Sequence, residues 1–370
     1  MRILLISGIV FVHVPIDPST SPFLGTNGFF DWLRVFFGDS LFRIGVPCLS
    51  AISGYLLFRK GAGAFSYGAT LWSKTKTVLV PFLIWNLSLF VGVLALQRAG
   101  MGVGYFPDLW NGSWRETLDY AFATEALPID IPLYFLRDLF VCIVLSPVLA
   151  FLVKRFAVPT LAILFIVAIL PDLVIYVVLK KSILFSFSFG IFLALNKVDV
   201  KRLDRFALSG TLAMLALAAL LATALYATGP DFPWGLDLAR NTLSIVGAGG
   251  FWLASAMLIK SRAGQRLAAT GSLSFWMFCA HYPLLVLMWM VWKRVAGDGL
   301  YPVFYVSAIA IAFVLLALTN ALCARYLPPV YAVLTGSRGR KAKIAAAMNA
   351  SYPSAGLARP GEAALSQQRR

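Results

Sequence analysis

The sequence predicts an all-α, polytopic integral membrane protein: a bundle of about ten transmembrane helices with both termini cytoplasmic. Three observations carry this. Of 370 residues 60% are apolar and 13% charged, with a mean hydropathy of +0.81, whereas a soluble domain is about half apolar and about a quarter charged. Apolar runs long enough to cross a bilayer follow one another from end to end, leaving no room for a separate catalytic domain. Lysine and arginine collect in the short segments between those runs.

Taken in order, the first run covers 2–16. Its start, Met1-Arg2-Ile3-Leu4, resembles a signal peptide, but no small-residue cleavage site follows and His13-Val14-Pro15 interrupts it, so it reads as a first membrane helix. Residues 31–43 hold Asp31, Arg34, Asp39 and Arg43 around Gly38 and several phenylalanines. This pattern reads as an interfacial or re-entrant segment, with Arg34 anchored at the headgroups. Runs at 41–58 and 77–96 come next. The long segment 97–131 carries Asp108, Glu116, Asp119, Glu125 and Asp130 with Trp110, Trp114 and Tyr120, and is expected outside, as a lid over a site. The remaining runs are 132–153, 156–178, 182–196, 207–228, 241–260, 272–292 and 301–323. The membrane domain thus occupies 1–335. From 336 to 370 the apolar period is lost, and a basic, disordered cytoplasmic tail is expected, leaning on anionic membrane lipids.

An even number of spans puts both termini on one side. With the N-terminus inside, fourteen basic residues fall in inner segments and eight more after the last run, Arg325 and seven in the tail, 22 of the 32 in the chain, as the positive-inside rule requires. The net charge of +16 is therefore a topology signal, and no nucleic-acid partner is implied. Cys48, Cys142, Cys279 and Cys323 all lie in apolar runs without CxxC or any metal-ligand spacing, so they read as buried small hydrophobes and no metal site is expected. Glycine-rich nucleotide loops, HExxH and GxSxG are absent, which argues against energy-coupled pumping, zinc proteolysis and serine-hydrolase chemistry.

A titratable group inside a span costs several kcal/mol and is by default a functional candidate. The chain has only two histidines, His13 and His281, and both fall inside predicted spans. Ten residues separate Arg2 from His13; on a helix the two lie within about 20° of one face and about 16 Å apart along the axis. An imidazole kept neutral by apolar surroundings can accept a proton from a hydroxyl. The plainer reading makes His13 a helix-packing residue and Arg2 an edge marker. His281 precedes Tyr282-Pro283, and satisfying the backbone freed by that proline is its simplest task.

Several segments resemble the acyltransferase-3 family of membrane O-acyltransferases. Arg2 and His13 match its R-x10-H motif. The stretch from Gly45-Val46-Pro47 to Ser53-Gly54-Tyr55-Leu56-Leu57 is similar to its second helix with the SGY signature. Lys74-Thr75-Lys76 with Pro81-Phe82-Leu83-Ile84-Trp85 resembles its basic loop and third helix. Pro132 to Asp138 resembles its W-F-L segment, with Tyr134 in place of the tryptophan, and Ser274 to Leu284 resembles its late histidine helix. The match covers about 1–325, and the order and spacing of the motifs make it specific.

The resemblance implies an enzyme of the bacterial inner membrane that holds no permanent cofactor. It would take an acyl group, expected to be acetyl, from cytoplasmic acyl-CoA and pass it to a hydroxyl of a glycan or lipid-linked sugar. Arg2 and His13 would be catalytic, with His13 either a general base or a transient acyl carrier. Lys74 and Lys76, with Lys154 and Arg155 nearby, would attract the coenzyme's phosphates. Arg43, Ser53, Tyr55, Arg137, Asp138 and His281 would serve substrate binding. Ordinary positive-inside charge, an interfacial ion pair at Arg137-Asp138 and packing hydroxyls at Ser53 and Tyr55 explain the same residues without chemistry. A transporter or flippase for a glycan or small polar solute is the alternative function, separated from the first by whether a thioester is consumed.

Overall fold

The computed structural model describes residues 2–269 and 271–336. The expected tail thus lies almost wholly outside the described residues. Every regular element among them is a helix, and Val103 and Phe106 form one isolated bridge.

The helices are α1 (Arg2–Val12), α2 (Phe29–Phe58), α3 (Tyr67–Arg98), α4 (Trp114–Phe122), α5 (Ile131–Val144), α6 (Ser146–Arg155), α7 (Ala157–Ile169) and α8 (Lys181–Leu195). They continue as α9 (Val200–Thr228), α10 (Trp234–Leu258), α11 (Arg262–Ala269), α12 (Gly271–Ala296), α13 (Tyr301–Tyr326) and α14 (Pro328–Leu334). Each of the ten expected apolar runs contains a helix, although 13–16 and 170–178 lie outside helices. By length and composition, α2, α3, α9, α10, α12 and α13 can cross a membrane alone, and α5 with α6 makes a seventh candidate. The pair α5–α6 is bent by 63° at Leu145, just before Pro147, whose ring and missing N–H break the ladder. The apolar helices α1, α7 and α8 are shorter than a spanning length.

Two departures from the sequence reading matter. First, α1 stops at Val12, because Pro15 disfavours helical backbone before it, and His13 sits in the closing turn with its N–H on Val10 O at 3.2 Å. Second, residues 29–40 are no surface segment but the first half of a continuous helix that runs to Phe58. Its middle, Phe36–Leu41, widens into a π turn, the kind of register shift that re-aims side chains near functional sites. A second π turn, Thr75–Leu79, precedes Pro81 in α3, where the proline withholds an N–H from the Thr77 carbonyl.

The long helix α2 is the hub. It touches α1, α8, α9 and α10, most extensively α8. That contact is backbone on backbone: Gly54 faces Phe187 and Ile191, and Gly190 faces Ala51 and Tyr55, the small-residue packing that brings membrane helices together. One cluster of buried apolar side chains runs from α1 through α2, α5 and α8 to α12 and α13. Outside it, Val158, Leu220, Val291 and Val314 stand exposed on α7, α9, α12 and α13, an apolar exterior suited to lipid rather than water. Cys48, Cys142 and Cys279 are buried free thiols and Cys323 is half-buried, as their setting predicts.

Candidate functional site

The centre of the molecule holds a histidine pair. His13, half-buried in the turn after α1, and His281, fully buried in α12, meet edge to face, with ring centroids 5.2 Å apart and His281 Nε2 3.4 Å from His13 Nδ1. Their partners fix their tautomers. His281 Nδ1 faces only carbonyls, Met277 O at 3.0 Å and Phe278 O at 2.9 Å, so it donates. Its Nε2 is then an acceptor. His13 Nδ1 lies 2.9 Å from Ile9 O, so it also donates, its proton shared between that carbonyl and His281 Nε2. The lone pair of the pair is left on His13 Nε2, for which no partner occurs among the described residues. His281 thus does not serve the carbonyl freed by Pro283, which belongs to Cys279; it orients His13.

At the far end of α1, Arg2 opens on a cavity of about 390 Å³ shared with Ser53, Thr70, Ser73, Lys74 and Phe187. The structure thereby brings Arg2, Ser53 and Lys74 around one space. It separates Lys76, which lies over the Trp72 ring at 4.3 Å and lines a different cavity beside Gly336. Tyr55 likewise turns away, into an apolar cleft on the other side of α2.

Toward the end of the bundle that carries residues 97–131, a second, polar cavity of about 430 Å³ is lined by Asp172, Lys180, Lys181, Asp237, Arg240 and Asn241 among others. Arg137 and Asp138 do not line it, and Asp138 holds the backbone of its lining residues Leu179 and Lys180. Arg137 donates to Ala123 O and Thr124 O at 3.0 Å and Val177 O at 2.8 Å, and pairs with Asp138 at 3.0 Å. Asp138 accepts the N–H groups of Leu179 at 3.0 Å and Lys180 at 2.8 Å. The two side chains staple two loops together, with their hydrogen-bonding capacity taken by backbone. Arg43, 41% exposed, is paired with Asp39 at 2.8 Å on the π-turn side of α2.

A cluster missed by the sequence reading holds the chain where it leaves His13. Tyr301 donates to Pro15 O at 2.7 Å, Lys293 pairs with Asp17 at 2.6 Å, and Trp289 Nε1 donates to the same carboxylate at 3.3 Å. Arg34 donates to Thr20 O at 2.8 Å, pairs with Asp31 at 2.9 Å and lies 4.2 Å over the Tyr301 ring. The headgroup anchor expected of Arg34 is therefore wrong: its side chain is 3% exposed and that of Asp31 0%. The reason is the unbroken helix, which carries both residues inward, where each neutralises the other.

The segment 97–131 is folded against α3. Asn86 donates to Tyr120 O and Ala121 O at 2.8 and 2.7 Å and accepts from Asp130 N at 3.0 Å; Gln97 grips Pro107 O and Leu109 N. Its α4 starts on a capping box, Ser113 with Glu116.

A multi-pass helical protein that holds a histidine pair at one end of its first helix and a basic cavity at the other has groups a membrane-embedded transferase can use. The chain belongs to the acyltransferase-3 family, whose acyltransferase domain matches residues 1–322. It is an acyltransferase acting on groups other than amino-acyl groups. It is 56% identical over 338 residues, 91% of each chain, to the succinoglycan biosynthesis protein ExoH of Rhizobium meliloti (strain 1021). No solved structure matches it significantly.

Proposed function

We propose that the chain is an O-acyltransferase of the bacterial inner membrane, moving an acyl group, expected to be acetyl, from cytoplasmic acyl-CoA to a hydroxyl of an exported polysaccharide. The single observation that carries this reading is the free Nε2 of His13, held in a fixed tautomer by Ile9 O and His281. The polysaccharide acceptor is supported by the likeness to a protein of succinoglycan biosynthesis. Ten crossings with both termini cytoplasmic take the six or seven helices able to cross alone together with the three shorter apolar helices, and are supported by the basic residues in the expected inner segments of the sequence.

On this reading the Arg2 and Lys74 cavity holds the coenzyme's phosphates, and the polar cavity at the other end admits the sugar. His13 Nε2 takes the proton of the acceptor hydroxyl as its oxygen attacks the thioester carbonyl. The C–S bond breaks, and the coenzyme thiolate leaves with the proton returned by the imidazolium. The Ile9 carbonyl and His281 stabilise that imidazolium through the Nδ1 proton.

The test is acyl-CoA turnover by the purified full chain in liposomes with cell-envelope polysaccharides, following free CoA and acylated product together. His13→Ala should lower turnover by about 10²- to 10⁴-fold, the usual contribution of a general base, without loss of insertion. Turnover retained in that variant removes His13 from the chemistry. Polysaccharide uptake without CoA release would favour transport instead.

A further inference from the structure

The mechanism leaves unused an apolar cleft beside α2. It holds about 510 Å³ between α2, α7, α8 and α10, and its walls include Ile52, Tyr55, Phe185, Phe189, Val246 and Trp252. Nearly all its surface is hydrocarbon or aromatic. At about 30 Å³ for a group the size of a water molecule, its volume is that of about seventeen such groups, the size of one fatty acyl chain.

Two further features say what kind of molecule the chain belongs to. The lining of the cleft includes Val198, Val200 and Leu203, residues interleaved with the exposed cations Lys197, Lys201, Arg202 and Arg205. Arg202 pairs with Asp199, and even with Asp204 counted the stretch 197–205 keeps a net positive charge beside these lining residues. Inside the cleft, the Trp252 indole N–H is shielded from solvent and has no hydrogen-bond acceptor. Trp252 lies six residues before Leu258, the end of α10, so about 9 Å below that end. That is the depth at which tryptophans sit at a membrane interface, below a phosphate and level with the ester carbonyls of a lipid. A hydrocarbon slot, then an orphaned donor, then a cationic rim match, in order, the acyl chain, ester and phosphate of one lipid molecule.

We propose that this cleft is a binding site for a single anionic glycerophospholipid, its acyl chain between α2 and α10, an ester carbonyl on Trp252 and its phosphate on Lys201 and Arg205. Bulk lipid covers the outer faces of any membrane helix; here the groove enters the bundle as far as Cys48, whose thiol meets Ala248 O at 3.6 Å. On the proposed orientation the rim faces the cytoplasmic leaflet, which carries the anionic lipids. Leu56 lines this cleft and also the cavity of Arg2 and Lys74, so the lipid would stand directly behind the donor cavity wall.

The experiment reads Trp252 fluorescence, as the difference between the parent chain and Trp252→Phe, in mixed micelles titrated with phosphatidylglycerol or phosphatidylcholine brominated at mid-chain. Phosphatidylglycerol should quench that component at a mole fraction at least about five-fold lower than phosphatidylcholine, since each basic residue near the surface favours an anionic lipid by about that factor. Lys201→Gln with Arg205→Gln, both on the surface, should erase the preference. Gly249→Leu should block quenching by both lipids: a side chain there meets nothing within 4 Å on the helix and fills the cleft. Equal quenching by the two lipids, or a preference that survives the double glutamine variant, overturns the proposal. So does undiminished quenching in Gly249→Leu. None of these readings depends on acyl transfer.

Discussion

Gly54→Ala is the substitution whose consequence the structure specifies most closely. A Cβ at residue 54 would lie 2.1 Å from Phe187 O, and one at residue 190 would lie 2.0 Å from Ala51 O, where ordinary contact begins at 3.4 Å. A methyl at residue 54 must therefore part α2 and α8 by about 1.3 Å, the difference of 3.4 and 2.1. Both obstructing groups are backbone and cannot rotate aside. Overpacking a tight interior costs about 1–3 kcal/mol, and a clash with backbone across the most extensive helix pair belongs at the upper end, about 3 kcal/mol. Ser53 and Phe187 line the Arg2 cavity from these two helices, so the same shift should raise the KM for the acyl donor in whatever protein remains folded. Gly249→Ala is the control: its Cβ would meet nothing within 4 Å, and removing a helical glycine should leave stability unchanged or raise it by up to about 1 kcal/mol. Thermal unfolding in detergent, followed by fluorescence-detected size exclusion, compares the two. Equal midpoints for Gly54→Ala and Gly249→Ala would refute the reasoning.

Arg34→Met should destabilise the protein by about 3–5 kcal/mol, because it leaves Asp31 as an uncompensated buried charge. Adding Asp31→Asn should recover most of the loss, measured as the same unfolding midpoint, and no recovery would mean that the Thr20 and Tyr301 contacts of Arg34 dominate. In the segment before α5, three carboxyls are held below their ordinary values: Asp108 by the side chain and N–H of Asn111, and Glu116 by the N–H and hydroxyl of Ser113. Burial pushes Asp119 up, but the Thr124 hydroxyl and the N–H groups of Glu125, Ala126 and Thr124 outweigh it. Folded values below the unfolded ones mean that their contribution is complete above the ordinary range, 3.8 for Asp and 4.5 for Glu, and is lost as pH falls through the depressed values. Amide exchange of residues 108–126, corrected for intrinsic rate, should accelerate below about pH 4 while the bundle stays protected; a flat profile down to about pH 3 would contradict the assignment.

The ten apolar runs were legible because lipid demands unbroken hydrocarbon and internal backbone pairing, and both leave a mark in a single sequence. The first half of α2 was not, since Asp31, Arg34, Asp39 and Arg43 interrupt the run. A signal existed there: each acid precedes its arginine by three or four residues, the spacing at which a helix neutralises its own charges. The break between α5 and α6 was likewise announced by Pro147. Lys74 and Lys76 were read as a pair, although residues two apart on a helix point to different sides, and the structure sends them to different cavities. Both histidines stood out as titratable groups in apolar runs. Their contact joins residues 268 apart, and the backbone partners of Arg137 at Val177 and of Asp138 at Lys180 lie 40 and 42 residues away. Such pairings are products of the fold, and no local pattern encodes them.

The spacing of Arg2 and His13 then acquires a consequence for the proposed reaction. Eleven positions apart on a helix, the two lie about 16 Å apart along the axis, against about 30 Å of hydrocarbon. The basic cavity stands at Arg2 and the imidazole pair at the other end. That spacing lets a coenzyme anchored at Arg2 and Lys74 extend its thioester toward His13 through about half that thickness, while Arg34, Tyr301 and Asp17 fasten the turn beyond it. On this reading α1 itself joins the donor cavity to the histidine pair, and the reaction needs no large motion of that helix.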